Sequence, residues 1–147
     1  MKKVAVIGCI GIGKEEFAKK FSKKVGIPYY DANEAYYIEE PELMENINFD
    51  DRLREMTKRQ RWVMSGGDVK VLIEECDTVL FLDYPHNLCV SILRDSHNLK
   101  YSGAMARFFM DNRAEIIEEL EKYSEKNIWT FKTVEEKDNF LNEVCLA

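Results

Sequence analysis

Apolar residues in this chain arrive in two alternating rhythms. Short apolar runs, "KKVAVIG", "IPYYD", "RWVMSGG", "DTVLFLDYP" and "NIWTFK", each stop at a glycine, a proline or a polar residue and predict five strands. Between them the period becomes helical. In "KEEFAKKFSKKVG" the residues Phe17, Phe21 and Val25 recur at every fourth position and Gly26 supplies a stop, so the first strand leads through a turn into a helix. "DVKVLIEEC" and "HNLCVSILRD" predict short helices and "AMARFFMDNRAEIIEELEKYSEK" a long one. "TVEEKDNFLNEVCLA" predicts a closing helix with Val134, Leu141, Val144 and Cys145 on one side. Residues 32–60 are weakly patterned, with a helix expected around 50–60, and "SHNLKYSG" reads as a loop.

Strands alternating with helices predict βαβ crossovers, a parallel sheet and helices on both faces. Ligands in such sheets bind beyond the carboxyl ends of the strands. That rule selects residues 8–15, Asp31, "SGGD" at 65–68 and "DYP" at 83–85. No repeat or linker interrupts the pattern, and 147 residues suit one domain over 1–147.

Composition narrows the function classes. With 46% hydrophobic and 33% charged residues the chain has a globular balance, and no run is long enough to span a bilayer, so membrane readings drop out. "MKKVAVIGCIGIG" mimics a leader but runs into Lys14-Glu15-Glu16 without a small-residue cleavage site, and reads as a buried strand entering a turn. Cys9, Cys76, Cys89 and Cys145 are widely spaced without a C-x-x-C, which suits a reducing cytoplasm. His86 and His97 fall at no ligand spacing from them, which argues against structural zinc. A net charge of -6 argues against nucleic-acid binding. The local exception, "RLREMTKRQR" at 52–61, reads as a solvated face or as a contact for an anionic substrate.

The sharpest chemistry is in "GCIGIGKE", which reads G-x-x-x-x-G-K-E from Gly8 through Cys9, Ile10, Gly11, Ile12, Gly13 and Lys14 to Glu15. Glycines let successive N–H groups curl around a phosphate, the next helix presents its positive end, and Lys14 adds a mobile charge. The bland alternative is a glycine turn packing a helix on a sheet. Glu15 stands where such loops carry a Ser or Thr hydroxyl for Mg²⁺. A carboxylate suits an empty helix N-terminus, whereas beside a polyphosphate a unit repulsion at about 4 Å costs roughly 4 kcal/mol at a dielectric near 20. It escapes that cost by turning to solvent or by ligating the metal itself.

The chain resembles small P-loop kinases of the adenylate/shikimate kinase type, and within them most resembles proteins named for DNA topology modulation. The likeness rests on "VIGCIGIGK", "GIPYYDANE", "RQRWVMSGGDVKVLIEECDTVLFLDYPHNLCVSILR" and "RFFMDNRAEIIEELEKYSEKNIWTFKTVEEKDNFL", nearly the whole length. It implies a three-layer P-loop nucleoside triphosphate hydrolase fold with parallel strand order 2-3-1-4-5, and ATP phosphates at Gly8 to Lys14. It also implies a small-molecule acceptor between the second and third strands, with Mg²⁺ near Glu15 and Asp31. Asp31 matches the family's acidic residue after strand two. Gly66, with Gly67 and Asp68 beside it, falls where backbone approaches the acceptor. Arg94 matches an arginine that opens the lid. An acidic chain without a groove-reading motif gives a DNA role no support.

The departures are as informative. "SGGD" replaces the relatives' usual Asp-Gly-Asn-Tyr, so Ser65 stands in an acidic place, and the lid near 95–104 is shortened to "DSHNLKYSGA" with only Lys100. Phosphoryl transfer needs cations on the moving group, which leaves Lys14, Arg94 and Arg113 as candidate catalytic residues with Asp31. Arg113 falls in the apolar stripe of Phe109, Ile116, Leu120 and Tyr123, so it reaches the phosphate site, pairs with a carboxylate or snorkels. Asp31 and Asp83 end strands and serve chemistry or cap the next helix. Cys9, near a helix N-terminus, is a candidate for a lowered thiol pKa or simply a small loop side chain.

Three readings follow: an ATP-dependent small-molecule or nucleotide kinase, a nucleotide- or anion-binding regulator without transfer, and a structural descendant whose loop stays empty. The acceptor, ATP against GTP, and the oligomeric state carry no sequence signal.

Overall fold

The computed structural model describes residues 1–9, 12–36, 48–95 and 102–144, with the backbone alone for 102–111. Strands β1 (Lys3–Gly8), β2 (Tyr29–Asp31), β3 (Trp62–Ser65), β4 (Thr78–Leu82) and β5 (Asn127–Phe131) form one sheet in the order β2-β3-β1-β4-β5. Every neighbouring pair is parallel. The connections carry α1 (Lys14–Val25), a 3-10 turn at Ala32–Tyr36, α2 (Phe49–Thr57), α3 (Val69–Glu75), α4 (His86–Asp95) and α5 (Ser102–Glu121). Helix α6 (Val134–Glu143) follows the last strand.

The apolar runs became the middle of the sheet because only there are both faces covered. β3 and β4 bury every residue. The fourfold period of α1 puts Phe17, Ala18, Phe21 and Val25 inside. Phe21 stacks on Phe140 of α6 with ring centroids 6.0 Å apart, and Phe17 meets Phe131 of β5 edge-on at 6.1 Å. Helices α1 and α6 thus share one face. Right-handed crossovers put α2, α3 and α5 on the other, where α3 touches both α2 and α5.

Register aligns the carboxyl ends. Val6 lies opposite Ser65, which lies opposite Asp31, and Gly8 lies opposite Leu82, which lies opposite Phe131. At the other end the amides of Lys2 and Lys3 donate to Asp77 Oδ2 at 2.9 and 2.8 Å, and Asp77 N returns a bond to the Lys3 carbonyl. One carboxylate therefore pins the chain's start to the root of β4.

Boundaries differ from expectation where side chains intervene. The 3-10 turn had no periodic signal; Asp31 Oδ1 nucleates it by accepting from Asn33 N at 2.9 Å, an Asx turn. Helix α5 stops at Glu121 rather than continuing to Lys126. The amides of Lys122 and Tyr123 bond only three residues back, and Lys126 Nζ is held by the carbonyls of Ile73 and Glu74 at 2.7 and 2.6 Å. The edge strand β5 is thinly covered, with Trp129 51% exposed. In the basic run, Arg54 bonds Glu75 and Glu74 and Arg59 lies 4.3 Å over the Tyr30 ring. Cys145 lies outside the described residues.

Candidate functional site

The loop that joins β1 to α1 is shaped by two glycines with different reasons to be glycine. A Cβ on Gly8 would stand 2.9 Å from the Leu82 carbonyl oxygen and 3.1 Å from Leu82 Cβ, so the strand ends pressed against β4. Gly13 is the N-cap of α1 at φ 89°, a left-handed conformation that strains any side chain, yet a Cβ there would meet nothing within 4 Å. The first amides of α1 and the positive end of its dipole have no side-chain cap among the described residues. Of the predicted loop residues, Ile10 and Gly11 lie outside the described residues, while Ile12 is buried.

Lys14 Nζ folds back over the loop to 3.4 Å from the Gly8 carbonyl, a weak contact. Burial pushes its pKa below the ordinary lysine value, while the electrostatic influence of Cys9 and Asp31 opposes that shift. Asp31, at the end of β2, is thus near enough to act on Lys14 electrostatically. Glu15, the unusual residue, turns along the helix surface to Lys19 Nζ at 2.8 Å and is 59% exposed.

Sequence reasoning did not single out three neighbours. Lys19 Nζ lies 5.7 Å over the Tyr29 ring, and the Tyr29 hydroxyl shares a 2.8 Å hydrogen bond with the Ser65 hydroxyl. The chain Glu15, Lys19, Tyr29, Ser65 thus borders the loop. Asn33 joins it to the glycine turn: Gly67 N donates to Asn33 Oδ1 at 2.9 Å, and a Cβ on Gly66 would lie 2.5 Å from Asn33 Nδ2. Gly66 and Gly67 form a left-handed turn at φ 84° and 64°. Asp68 is turned away from them, capping α3 by accepting from Lys70 N at 2.9 Å. The sequence signal for Ser65 was a hydroxyl in an acidic place; Tyr29 and Asn33 had none.

At the end of β4 lies a second cluster. Asp83 is 3% exposed, and Arg113 grips it with both ends, Nε to Oδ1 at 2.6 Å and Nη2 to Oδ2 at 2.7 Å. Lys132 Nζ adds a 2.5 Å contact to Oδ2. Burial pushes the Asp83 carboxyl up, but the bonds from Arg113 and Lys132 outweigh it and leave the pKa below the usual range. Arg113 is therefore in a protein ion pair, one strand from the loop. An open cleft of about 430 Å³ beside it is lined by Phe81, Ile117, Leu120 and Ile128. Arg94 is exposed in the last turn of α4, and residues 96–101, most of the expected lid, lie outside the described residues.

The donors suit a metal completed by a ligand. Among the described residues no group of three or more His, Cys, Asp or Glu side chains could hold a metal alone, and Mg²⁺ is commonly held by one or two carboxylates plus substrate phosphates. Among the described residues no helix is long and apolar enough to cross a membrane.

No family model matches the chain, and no curated protein matches it. Solved structures do. Shikimate kinase from Acinetobacter baumannii in complex with shikimate is 16% identical with a TM-score of 0.63, over 97% of this chain and 92% of that one. A gluconokinase from Sinorhizobium meliloti 1021 is 15% identical with a TM-score of 0.64, over 97% and 88%. An uncharacterized protein from Eubacterium ventriosum is 11% identical with a TM-score of 0.57, over 97% of each chain. What is shared at such identities is architecture, and the parallel sheet in the order 2-3-1-4-5, with the glycine loop between β1 and α1, is the fold of the P-loop kinases.

Proposed function

We propose that the chain binds Mg²⁺-ATP at residues 8–15 and transfers a phosphoryl group to a small hydroxyl-bearing acceptor held between Asp31 and the Gly66-Gly67 turn. The observation that carries this reading is the open space over α1. Gly13 leaves room where any other residue would put a Cβ, and Lys14 and uncapped helix amides border the same space. These are the donors a triphosphate needs. That shikimate kinase and gluconokinase are among the structural neighbours supports a small acceptor rather than DNA.

The fit to Mg²⁺ rests on an exchange of donor types. In P-loop enzymes the residue after the lysine supplies a hydroxyl and the end of β3 a carboxylate; here Glu15 and Ser65 occupy those two places. Both oxygens remain, in swapped positions, and Asp31 lies opposite Ser65 in register. Bound there, the metal would neutralise charge on the transferring phosphoryl group. Glu15, freed from Lys19, and Asp31 would be the carboxylates to hold it, with Asp31 also orienting the acceptor and Lys14 holding the phosphates.

Calorimetric titration with ATP, with and without Mg²⁺, tests the reading. Micromolar binding that Lys14→Ala abolishes is expected; no binding up to millimolar ATP overturns it. For the exchange, Glu15→Ser should weaken Mg²⁺-dependent binding by about tenfold, and Glu15→Ser with Ser65→Asp should restore it. Tighter Mg²⁺-ATP binding by Glu15→Ser alone would show that the glutamate only repels phosphate. The clamp of Asp83 on Arg113 favours a second reading, a nucleotide-binding regulator without transfer, which predicts binding but no ATP consumption with any acceptor.

A further inference from the structure

The sheet ends in two outer strands, β2 and β5, and they are protected differently. β2 runs for only 3 residues before the 3-10 turn, and shortness is a common guard against strand addition. β5 runs for 5, from Asn127 to Phe131, with no proline and an unbroken register. Its parallel pairing with β4 uses the amide of Asn127 and the carbonyl of Phe131, so by alternation Asn127, Trp129 and Phe131 turn their main-chain groups inward. Ile128 and Thr130 turn theirs outward. Among the described residues nothing bonds them.

Lysines often guard such an edge, and one stands at each end of this strand, but both are drawn away from it. Lys126 Nζ is bonded to the Ile73 and Glu74 carbonyls, and Lys132 Nζ to Asp83. Their amides are taken as well, by the Tyr123 carbonyl and by Glu136 Oε2. The open edge is therefore bounded on both sides and centred on Trp129, which is half-exposed and packs on Phe140 with ring centroids 5.1 Å apart. The cleft beneath α5 gives the same edge a polarity. Arg113 and Lys132, two cations on one carboxylate, lie toward the carboxyl end of the strand. Glu121, the last residue of α5, lines the cleft beside Ser124 toward the end where β5 begins.

We propose that β5 pairs with β5 of a second copy of this chain, antiparallel and about a two-fold axis at Trp129, so that the two sheets become one. In that register Ile128 of each copy lies opposite Thr130 of the other and the two exchange both main-chain bonds, which satisfies the outward groups of the edge. Trp129 meets Trp129 at the axis, in the non-hydrogen-bonded position where side chains come closest. The aromatic packing from Phe140 thus continues into the second copy. Lys126 comes opposite Lys132, and the partners of both ammonium groups already hold them. A two-fold axis normal to the sheet also reverses the cleft. It turns the Arg113 and Lys132 end of one copy toward the Glu121 end of the other, cation to carboxylate. That complementarity favours a second copy over a strand of an unrelated protein. The contact needs nothing from the nucleotide reading of the loop.

Sedimentation equilibrium of the full-length protein, from micromolar to hundreds of micromolar, tests this. The mass should rise with concentration from 17.3 kDa toward twice that value, and a monomer throughout overturns the proposal. Thr130→Pro removes an outward donor without touching the bonds to β4, and should weaken the dimer at least about tenfold. Trp129→Lys puts like charges on the axis and leaves the backbone free, with the same expected loss; it keeps the test decisive where the proline variant does not fold. A dimer that survives both changes at full strength is built elsewhere on the molecule, which overturns the assignment to β5. Glu121→Lys should weaken the dimer about tenfold too, and an unchanged constant overturns the charge matching across the cleft. Trp129→Cys reads the register. Oxidised in air, it should give a dimer linked from position 129 to position 129 in peptide maps, and a dimer that does not link there overturns the axis.

Discussion

Asp83 shows how much one buried side chain organises. It brings Arg113 from α5 and Lys132 from the end of β5 to a single carboxylate, so three elements meet on one residue. The bidentate grip of Arg113 is the stronger contact, because Lys132 is half-exposed and its pairing is screened by water. Arg113→Ala should therefore cost about 2 kcal/mol, most of it from a buried carboxylate left short of donors. Urea unfolding measures this, and a cost within error of zero would show that Lys132 alone satisfies Asp83. Its neighbour Tyr84 has the opposite defect: its hydroxyl is buried without a hydrogen-bond partner among the described residues, and burial raises its pKa to about 12. Removing an orphan polar group relieves a desolvation penalty, so Tyr84→Phe should be neutral or stabilise by about 1 kcal/mol in the same assay.

Among the elements, the strand–loop–helix at the front of the chain separates folding from binding. Gly8 is needed for packing, since a Cβ would press on the Leu82 backbone. Gly13 is needed for backbone geometry and for the space it leaves. Gly13→Ala should thus cost only about 1 kcal/mol of stability, the strain of a left-handed alanine, while its methyl enters the proposed phosphate site and ATP binding falls by a larger factor. Gly8→Ala should destabilise more. Thermal unfolding beside calorimetry distinguishes the two variants, and equal losses of stability would contradict the assignment. The elements themselves were legible in the chain: glycine stops at 26 and 66, the fourfold period of α1 and the unbroken apolar run of β4 each matched the structure. The 3-10 turn and the early end of α5 were not, because each is decided by the bonds of one side chain, Asp31 and Lys126, rather than by a period.

At the scale of the molecule, strand order came from the resemblance, since periodicity fixes neither order nor register. The pairings that define the sites were illegible for the same reason. Arg113 had three possible partners in sequence and one in space. Tyr29 and Ser65 meet only because the register lays β2 beside β3. Acid sensitivity also belongs to the whole fold. Asp77 at one end of β4 and Asp83 at the other both have pKa values below the ordinary carboxyl value. For Asp77, burial pushes upward but is outweighed by the bonds from Thr78, Lys3 and Lys2. Depressed carboxyls stabilise fully above the unfolded value and lose that contribution as pH falls through the folded one. Stability should fall steeply below about pH 4, and Asp83→Asn should flatten that limb. Urea midpoints from pH 6 to pH 2 read it directly, and an unchanged slope in the variant would remove Asp83 from the cause.

The level endings of β1, β4 and β5, with Gly8, Leu82 and Phe131 side by side, work as a ruler. Against it are measured the start of the glycine loop, the carboxylate that grips Arg113 and the helix that carries Cys89. Sliding β4 by one residue would carry Asp83 and α4 about 3.3 Å past Gly8 of β1 and Phe131 of β5. A single insertion inside that strand would therefore be read out simultaneously as an altered packing against Gly8 and a broken ion pair at Asp83.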